Sequence, residues 1–249
     1  MSHDRTPVVS AELEDLDMAA LGAYLSGRAP ALVHELALES AAARLGLLSR
    51  QGARVLPTAS ALYAFGSLPQ LVNPEWGVGA VQVRGLTLSD PITARADIEG
   101  NLPQLLQQAI DFVSDHTRAL AEDFESDYPL NAVREALVNA LVHRDLRRTG
   151  RVLVRLFDDR IEVWSPGGPP EGVNDLAELT EEGGVSLPRN PLLASVARHL
   201  GLGEQLGRGL ISMRRAFAGS AHKLELRVSP RDVLAILPSR LRSPKVALS

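Results

Sequence analysis

Arg134-Glu-Ala-Leu-Val-Asn-Ala-Leu-Val-His143 is the stretch that decides how the chain is predicted to fold. On an α-helix, residues four apart stack on one face, so Glu135, Asn139 and His143 fall within an arc of about 80°. Leucine and valine occupy the opposite side of the same helix. The pattern predicts a helix over residues 130–146, with an apolar face toward a core and a line of polar side chains beside it.

The polar line has the chemistry of a metal site. Mg²⁺ takes oxygen ligands and keeps several waters, so an amide and a carboxylate one helical turn apart can hold it and polarise an attacking water. Asn139 and Glu135 are such a pair. The alternative interpretation is the solvated face of an ordinary helix.

Two glycine-containing patches follow this helix in the sequence. A predicted hairpin, residues 152–157 and 161–164, runs into Ser165-Pro166-Gly167-Gly168. Backbone amides at a helix N-terminus bind anions without a lysine, so glycines before a helix are a candidate phosphate loop. Such a cluster precedes a predicted helix over residues 210–218, and it consists of Gly203, Gly207 and Gly209. Its spacing matches neither a Rossmann fingerprint nor a Walker loop, and an ordinary loop with a tight turn stays the alternative.

The rest of the chain reads as a mixture of helices and strands. Apolar residues at helical spacing predict helices over residues 11–26, 31–49, 57–65, 102–121 and 190–200. Short apolar runs bounded by turn residues predict strands over residues 78–83, 92–98, 224–228 and 233–237. The acidic stretch 122–127, just before Tyr128-Pro129, is the candidate joint between a front and a back half.

Composition excludes several classes of protein. The chain has 249 residues, 45% of them hydrophobic, and no apolar run near the roughly 18 residues of a membrane helix. It begins without a signal-peptide pattern, so we expect a cytoplasmic protein with no membrane partner. The absence of cysteine rules out disulfides, thiolate chemistry and cysteine zinc sites. A formal charge of −4 argues against electrostatic binding of nucleic acid over the whole protein surface.

A local basic cluster follows the polar helix. It consists of Arg144, Arg147, Arg148, Arg151 and Arg155. Positive charges near a helix C-terminus are favourable, so a solvated helix end is the preferred interpretation and a nucleic-acid patch is the alternative.

Together these motifs resemble the GHKL or Bergerat-fold ATPases. The nearest subgroup consists of bacterial proteins described as transcriptional regulators, in which the ATP-binding domain often follows a divergent Alba-like, Schlafen-associated DNA-binding domain. The resemblance covers roughly residues 13–238 and is carried by Tyr128-Pro129, residues 134–145, Asp159–Val163, Ser165–Gly168, Arg189-Asn190-Pro191 and Gly207-Arg208-Gly209.

The resemblance implies a fold and a division of the chain. The fold is an α/β two-layer sandwich, the Bergerat fold, in which helices lie on one face of a mixed sheet behind an α-rich N-terminal region. The expected regions are a helical N-terminal region (residues 1–56), an α/β connecting region (57–125), an ATP-binding domain (126–238) and a C-terminal tail (239–249).

The resemblance also implies roles for individual residues. Asn139 would hold Mg²⁺ and Glu135 would be the base for water, with His143 as a supporting residue of the nucleotide site. Residues 169–202 would form a lid. Three further segments would bind ATP. Ser165 and Gly167 would belong to the adenine-side turn, and Arg189 and Asn190 to the end of the lid. Gly207 and Gly209 would belong to the phosphate loop.

Ser165 departs from the wider family, which carries an aspartate at this position to accept from the adenine amino group. Losing a charge-assisted bond predicts weaker binding by about 1–3 kcal/mol. The expected function is an ATP-binding regulator, with weak ATP hydrolysis left open and with DNA or a DNA-binding protein as partner on the resemblance alone. A nucleotide-free module that dimerises through its N-terminal helices is the alternative. A protein kinase using His116 is the third and less favoured hypothesis.

Overall fold

A computed structural model describes residues 2–118, 127–169, 188–203 and 209–241. The described helices are α1 Met18–Arg28, α2 Pro30–Glu35, α3 Leu38–Arg44, α4 Ala59–Phe65, α5 Leu102–Arg118, α6 Leu130–His143, α7 Pro191–His199 and α8 Gly209–Ala216. The described strands are β1 Leu48–Gln51, β2 Arg54–Pro57, β3 Val78–Val83, β4 Ile92–Ile98, β5 Val152–Leu156, β6 Arg160–Pro166, β7 Glu225–Val228 and β8 Asp232–Pro238.

Six of these strands form one mixed sheet in the order β4-β3-β5-β6-β8-β7. β3 and β5 run parallel, whereas the other neighbouring strands run antiparallel. Helices α5 and α6 pack on one face of the sheet. This is the expected two-layer α/β sandwich with helices on one face of a mixed sheet.

Alternation along the strands explains the two layers. Successive side chains of a strand point to opposite faces, and an antiparallel sheet can leave one face toward water. On β5, Val152 and Val154 are fully buried beneath the helices, whereas Leu153 and Arg155 between them are half-buried on the other face. We call these the inner and the outer face of the sheet. Among the described residues, none of the helices combines the length and hydropathy needed to cross a membrane.

The N-terminal helices differ from the prediction. The region predicted as one helix over residues 11–26 begins with a 3-10 turn, and α1 starts only at Met18 because the Asp17 carboxylate caps it by accepting from the backbone N–H of Ala20 at 2.9 Å. The region predicted as a helix over residues 31–49 is two short helices and the start of a strand. Leu36 is extended between α2 and α3, and Gly46, at φ +81°, ends the helical path.

β1 and β2 form a hairpin that was not predicted from the sequence. Its turn contains Gly52 at φ +63°, a conformation that favours glycine. The remaining elements agree with the predicted ones to within a few residues, and the bounds of β3 and β4 agree in full. Pairing of β3 with β5 carries the sheet across residue 126, the expected start of the ATP-binding domain. The division of the chain into four regions stays a prediction.

The N-terminal segment ties α7 to the rest of the fold. Asp4 is fully buried, and its Oδ2 accepts from the backbone N–H groups of Leu192 at 2.7 Å and Leu193 at 3.1 Å. A carboxylate at this position satisfies helix donors that have no partner within the helix. The first residues of the chain therefore fix the start of α7, which lies beside the candidate site.

Candidate functional site

Glu135 on α6 lies against the first residue of α8. Its side chain is only 9% exposed. A β carbon at Gly209 would lie 1.7 Å from Glu135 Oε1, and one at Gly203 would lie 3.9 Å from Oε2. Glycine at position 209 therefore allows α8 to approach the carboxylate, and negative charge is favourable at a helix N-terminus. The predicted base and two glycines of the predicted phosphate loop come together.

Asn139 lies one turn further along α6 and also faces α8. Its Nδ2 is 3.9 Å from Met213 Sδ, a weak contact. Within the described part of the chain, no hydrogen bond engages Oδ1 of Asn139. The described residues contain no group of three or more His, Asp or Glu side chains that would hold a metal. A single amide oxygen suits Mg²⁺, which brings waters and substrate oxygens as its other ligands.

His143 ends the polar line of α6 and is half-buried. Burial, assisted by the nearby positive charge of Arg189, lowers its pKa to about 4. The imidazole is therefore neutral at physiological pH.

Asp145, which the sequence reasoning did not single out, organises the end of α6. Burial opposes its ionisation, but hydrogen bonds from Arg147 and the charges of Arg147 and Arg189 hold its pKa at about 2. Arg147 donates Nε to Oδ1 and Nη2 to Oδ2, each at 3.0 Å. The only signal in the sequence is an acidic residue between arginines just after the helix.

The Ser165–Gly168 segment is bound to the same end of α6. Ser165 lies in β6, is 6% exposed and donates its hydroxyl to the carbonyl of Ala140 at 2.8 Å. Gly167 has φ +102°, and a β carbon there would lie 2.9 Å from the backbone nitrogen of Asp145. Glycine is thus required at 167 both for its conformation and for this close approach.

Arg189 and Asn190 lie at the start of α7, against the end of α6. Arg189 donates to the carbonyl oxygens of Gly168 and Pro169 and faces Asp145 at 3.5 Å. Asn190 is 2% exposed, and its Nδ2 donates to the carbonyls of Val142 and Arg144, each at 2.8 Å. These carbonyls belong to the last turn of α6 and lack partners within the helix, so Asn190 closes that helix end.

The predicted site residues thus fall into two groups joined by α6. One group meets the N-terminus of α8, and the other surrounds the C-terminal end of α6. Glu135 and His143 are eight residues apart, so they lie about 12 Å apart along the helix axis. An extended nucleotide can span this length. Gly207, and residues 170–187 of the predicted lid, lie outside the described residues.

The five arginines after α6 engage different parts of the protein. Contrary to the expected solvated helix end, Arg144 is fully buried and donates to the carbonyls of Glu75 at 2.8 Å and Gly150 at 3.0 Å. The others pair with acidic side chains: Arg147 and Arg148 with Asp145, Arg151 with Asp97 and Glu99, and Arg155 with Glu162. Each of these four arginines therefore has an acidic partner, and Arg147 and Arg148 share theirs with Arg189.

A groove of about 670 Å³ lies elsewhere, on the outer face of the sheet. Gly79, Leu153 and Trp164 are among the residues that line it. The groove is separated from α6 by the sheet itself and contains none of the predicted site residues.

Comparison with known proteins connects part of this architecture to an ATPase-type domain. Residues 150–233 match the family described as "Putative ATP-dependent DNA helicase recG C-terminal". The match begins after α6, so it includes Ser165, Gly167, Arg189 and Asn190 but not Glu135 or Asn139. No curated protein sequence matches the chain.

A solved structure has the same fold. The crystal structure of the DIP2311 protein from Corynebacterium diphtheriae superposes with a TM-score of 0.66 at 24% sequence identity. The similarity covers 96% of this chain but only 40% of the length of that protein. It is evidence for the fold alone.

Proposed function

We propose that the chain binds Mg²⁺ and ATP along the polar line of α6 and that the bound nucleotide changes which surfaces the protein presents to its partners. The observation that carries this proposal is the meeting of Glu135 with Gly209 at the N-terminus of α8. Asn139 lies on the same face of α6, and none of the described residues forms a hydrogen bond with its Oδ1. An acid, an amide oxygen and a helix N-terminus are the groups that a magnesium–phosphate ligand requires.

Each residue has a role that follows from its position. Asn139 Oδ1 would hold Mg²⁺, and the backbone amides at the start of α8 would receive phosphate oxygens. Bound Mg²⁺ would neutralise phosphate charge and orient the phosphate oxygens. Glu135 is nine-tenths buried next to these amides, where its carboxylate can orient a water and accept its proton.

The adenine end would lie near Ser165 and Gly167. Ser165 already donates its hydroxyl proton to Ala140, so toward a base it can only accept through its remaining lone pair. A neutral acceptor replaces the carboxylate of the wider family, which supports binding weaker by about 1–3 kcal/mol. The match of residues 150–233 to an ATPase-type family supports nucleotide binding by this part of the chain.

Binding would require α8 to move. In the described structure Glu135 adjoins Gly209 and Met213 contacts Asn139, so α8 stands where phosphate would enter. A ligand shifts a conformational equilibrium by the difference in its affinity for the two states. Movement of α8 away from α6 would therefore couple nucleotide binding to a change at the protein surface, which is the proposed regulatory step.

Variants on α6 separate binding from turnover. Asn139→Ala should abolish the magnesium dependence of ATP binding in titration calorimetry, whereas Glu135→Gln should bind Mg²⁺ and ATP without releasing phosphate. Asn131→Ala is the matched control, because Asn131 is an exposed asparagine on the same helix. Equal, magnesium-dependent binding by wild type and Asn139→Ala would exclude the proposed site.

A nucleotide-free interaction module remains the second candidate. The buried hydroxyl of Ser165 and the packing of Met213 on Asn139 favour it, since both side chains are already engaged within the fold. It predicts no magnesium-dependent nucleotide binding by any variant. A role in transcription rests on the resemblance alone, and a DNA-binding series across salt concentrations would test it, since phosphate contacts make affinity fall steeply with salt.

A further inference from the structure

β4 is the terminal strand on one side of the sheet. It spans Ile92–Ile98, and one of its edges pairs with β3. In the part of the chain that the structure describes, nothing pairs with the other edge. β4 is irregular at Thr93, so its regular edge is residues 94–98, which offer a row of backbone donors and acceptors to another chain.

The side chains of β4 do little to block such pairing. The strand contains neither proline nor lysine, two residues that commonly protect an exposed edge. Its outer face carries Arg95 and Asp97, whose side chains are 71% and 56% exposed. Its inner face carries Ala94 and Ala96, which are small enough to let a second strand approach beside α5.

The order of these charges is self-complementary. When a strand pairs antiparallel with its own copy around a two-fold axis at Ala96, Arg95 of each strand lies opposite Asp97 of the other. In the same register Ala94 lies opposite Ile98, a small residue facing a large one. Moving the axis to Arg95 would instead place two arginines opposite each other, which is unfavourable. The charges therefore favour the register centred on Ala96 over the one centred on Arg95.

The geometry points to a homodimer formed by antiparallel pairing of β4 with β4 of a second copy, centred on Ala96. The two-fold axis is perpendicular to the sheet, so the two six-stranded sheets continue as one and the helices of both copies lie on the same face. Asp97 keeps its contact with Arg151 of its own chain, at 3.3 Å, and gains Arg95 of the second copy. The surface is independent of the proposed nucleotide function.

The opposite edge of the sheet is less suited to this pairing. β7 also alternates charges, but it is only four residues long. Its Glu225 and Arg227 already form two hydrogen bonds with each other, at 2.7 and 3.2 Å. Arg95 and Asp97 are joined by one contact at 3.5 Å, which is easily exchanged for a partner. β7 therefore provides a matched control for β4.

Edge pairing buries a small area, so the dimer is a weak one that forms with rising concentration. Contacts below about 1,200 Å² are typical of transient complexes. Sedimentation velocity of the full chain, at protein concentrations up to about 0.5 mM, should detect such a complex. Hydrogen exchange of the amides of residues 92–98 should slow as the protein concentration rises, while that of residues 225–228 stays unchanged.

Charge reversal tests the register. Asp97→Arg places arginines opposite each other and should weaken dimerisation about tenfold or more. The double variant Arg95→Asp/Asp97→Arg restores opposite pairs and should return the dissociation constant to near the wild-type value. Glu225→Arg, the control on β7, should leave it unchanged. Circular dichroism verifies that each variant is folded.

Three results would overturn the inference. The first is a monomer throughout the concentration range. The second is a dimer that Asp97→Arg does not weaken, which would favour another surface such as the N-terminal helices. The third is a dimer that the double variant fails to restore although the protein is folded.

Discussion

Gly209→Ala gives a stability effect whose sign depends on the contact between α6 and α8. The new β carbon would lie 1.7 Å from Glu135 Oε1, 2.3 Å from Cδ and 2.9 Å from Cγ. Ordinary van der Waals contact begins at 3.4 Å, so either the carboxylate or the start of α8 must move by more than an ångström. Overpacking of this kind costs about 1–3 kcal/mol.

Without the clash the same substitution would stabilise the protein. Replacing glycine by alanine in a helix contributes about 0.4–1 kcal/mol when the backbone conformation is compatible. Gly27 in α1 supplies the control, because a β carbon there would meet nothing within 4 Å. We therefore expect urea unfolding to show a loss of about 1–2 kcal/mol for Gly209→Ala and a small gain for Gly27→Ala.

A double-mutant cycle assigns the loss to one pair of residues. Glu135→Ala removes the atoms that the new β carbon meets, so Gly209→Ala should cost little in that background. The coupling energy should be about 1 kcal/mol or more, as for other residues in contact. A stabilising Gly209→Ala, or additive effects of the two substitutions, would refute the placement of α8 against Glu135.

Three further predictions concern the supports of the site. Asn190→Ala removes two buried hydrogen bonds to the end of α6 and should lower the free energy of unfolding by about 2–4 kcal/mol in urea; a loss below about 1 kcal/mol would contradict its capping role. Asp4→Ala removes the cap of α7 and should lower the free energy of unfolding by about 1–2 kcal/mol. Faster hydrogen exchange confined to the amides of Leu192 and Leu193 would identify the lost cap as the cause. Unchanged exchange at these amides would contradict the capping role of Asp4. His143 has a pKa of about 4 in the folded protein, against an ordinary value of 6.5. Between these pH values the unfolded state therefore binds a proton that the folded state does not. The free energy of unfolding should fall by up to about 3 kcal/mol as the pH is lowered from 6.5 to 4. His143→Gln should flatten this part of the pH profile, and an unchanged slope would contradict the assignment.

The pH window of His143 is separate from that of Asp145. Asp145 has a folded pKa of about 2 against an ordinary value of 3.8, so its contribution is present above pH 3.8 and is lost as the pH falls toward 2. Stability measurements between pH 4 and 7 therefore exclude Asp145. They report on His143 together with His3, whose pKa is also lowered by burial, and comparison with His143→Gln isolates the contribution of His143.

The strong periodic elements could be predicted from the sequence. α6 follows from polar residues four apart opposite leucine and valine, and β3 and β4 follow from short apolar runs between turn residues. The resemblance implied that Glu135 and Gly209 belong to one site, and the two residues are neighbours in the structure. Their roles stay a prediction.

Long-range contacts could not be predicted in the same way. Asp4 caps a helix that begins far along the chain at Pro191, and Asn190 closes a helix that ends at His143. Nothing near either residue in the sequence reveals its partner. Arg144 illustrates the same limit, because its basic neighbours suggested a solvated position whereas backbone carbonyls of Glu75 and Gly150 hold it in the interior.

The N-terminal helices were mispredicted because the leucine spacing of residues 31–49 is compatible with one helix or with two short ones. Leu36 adopts an extended conformation between α2 and α3, and Gly46 ends α3. The glycine was a usable stop signal, and Gly52 was a usable turn signal for the β1–β2 hairpin.

Thermal unfolding with and without Mg²⁺ and ATP is the most direct test of nucleotide binding at α6. A ligand at about 100 times its dissociation constant adds about 2.7 kcal/mol, which in a chain of this size raises the midpoint by about 5–10 °C. We expect such a shift for wild type and for the control Asn131→Ala, and no shift for Asn139→Ala. An unchanged midpoint in wild type, or an equal shift in Asn139→Ala, would contradict nucleotide binding at α6.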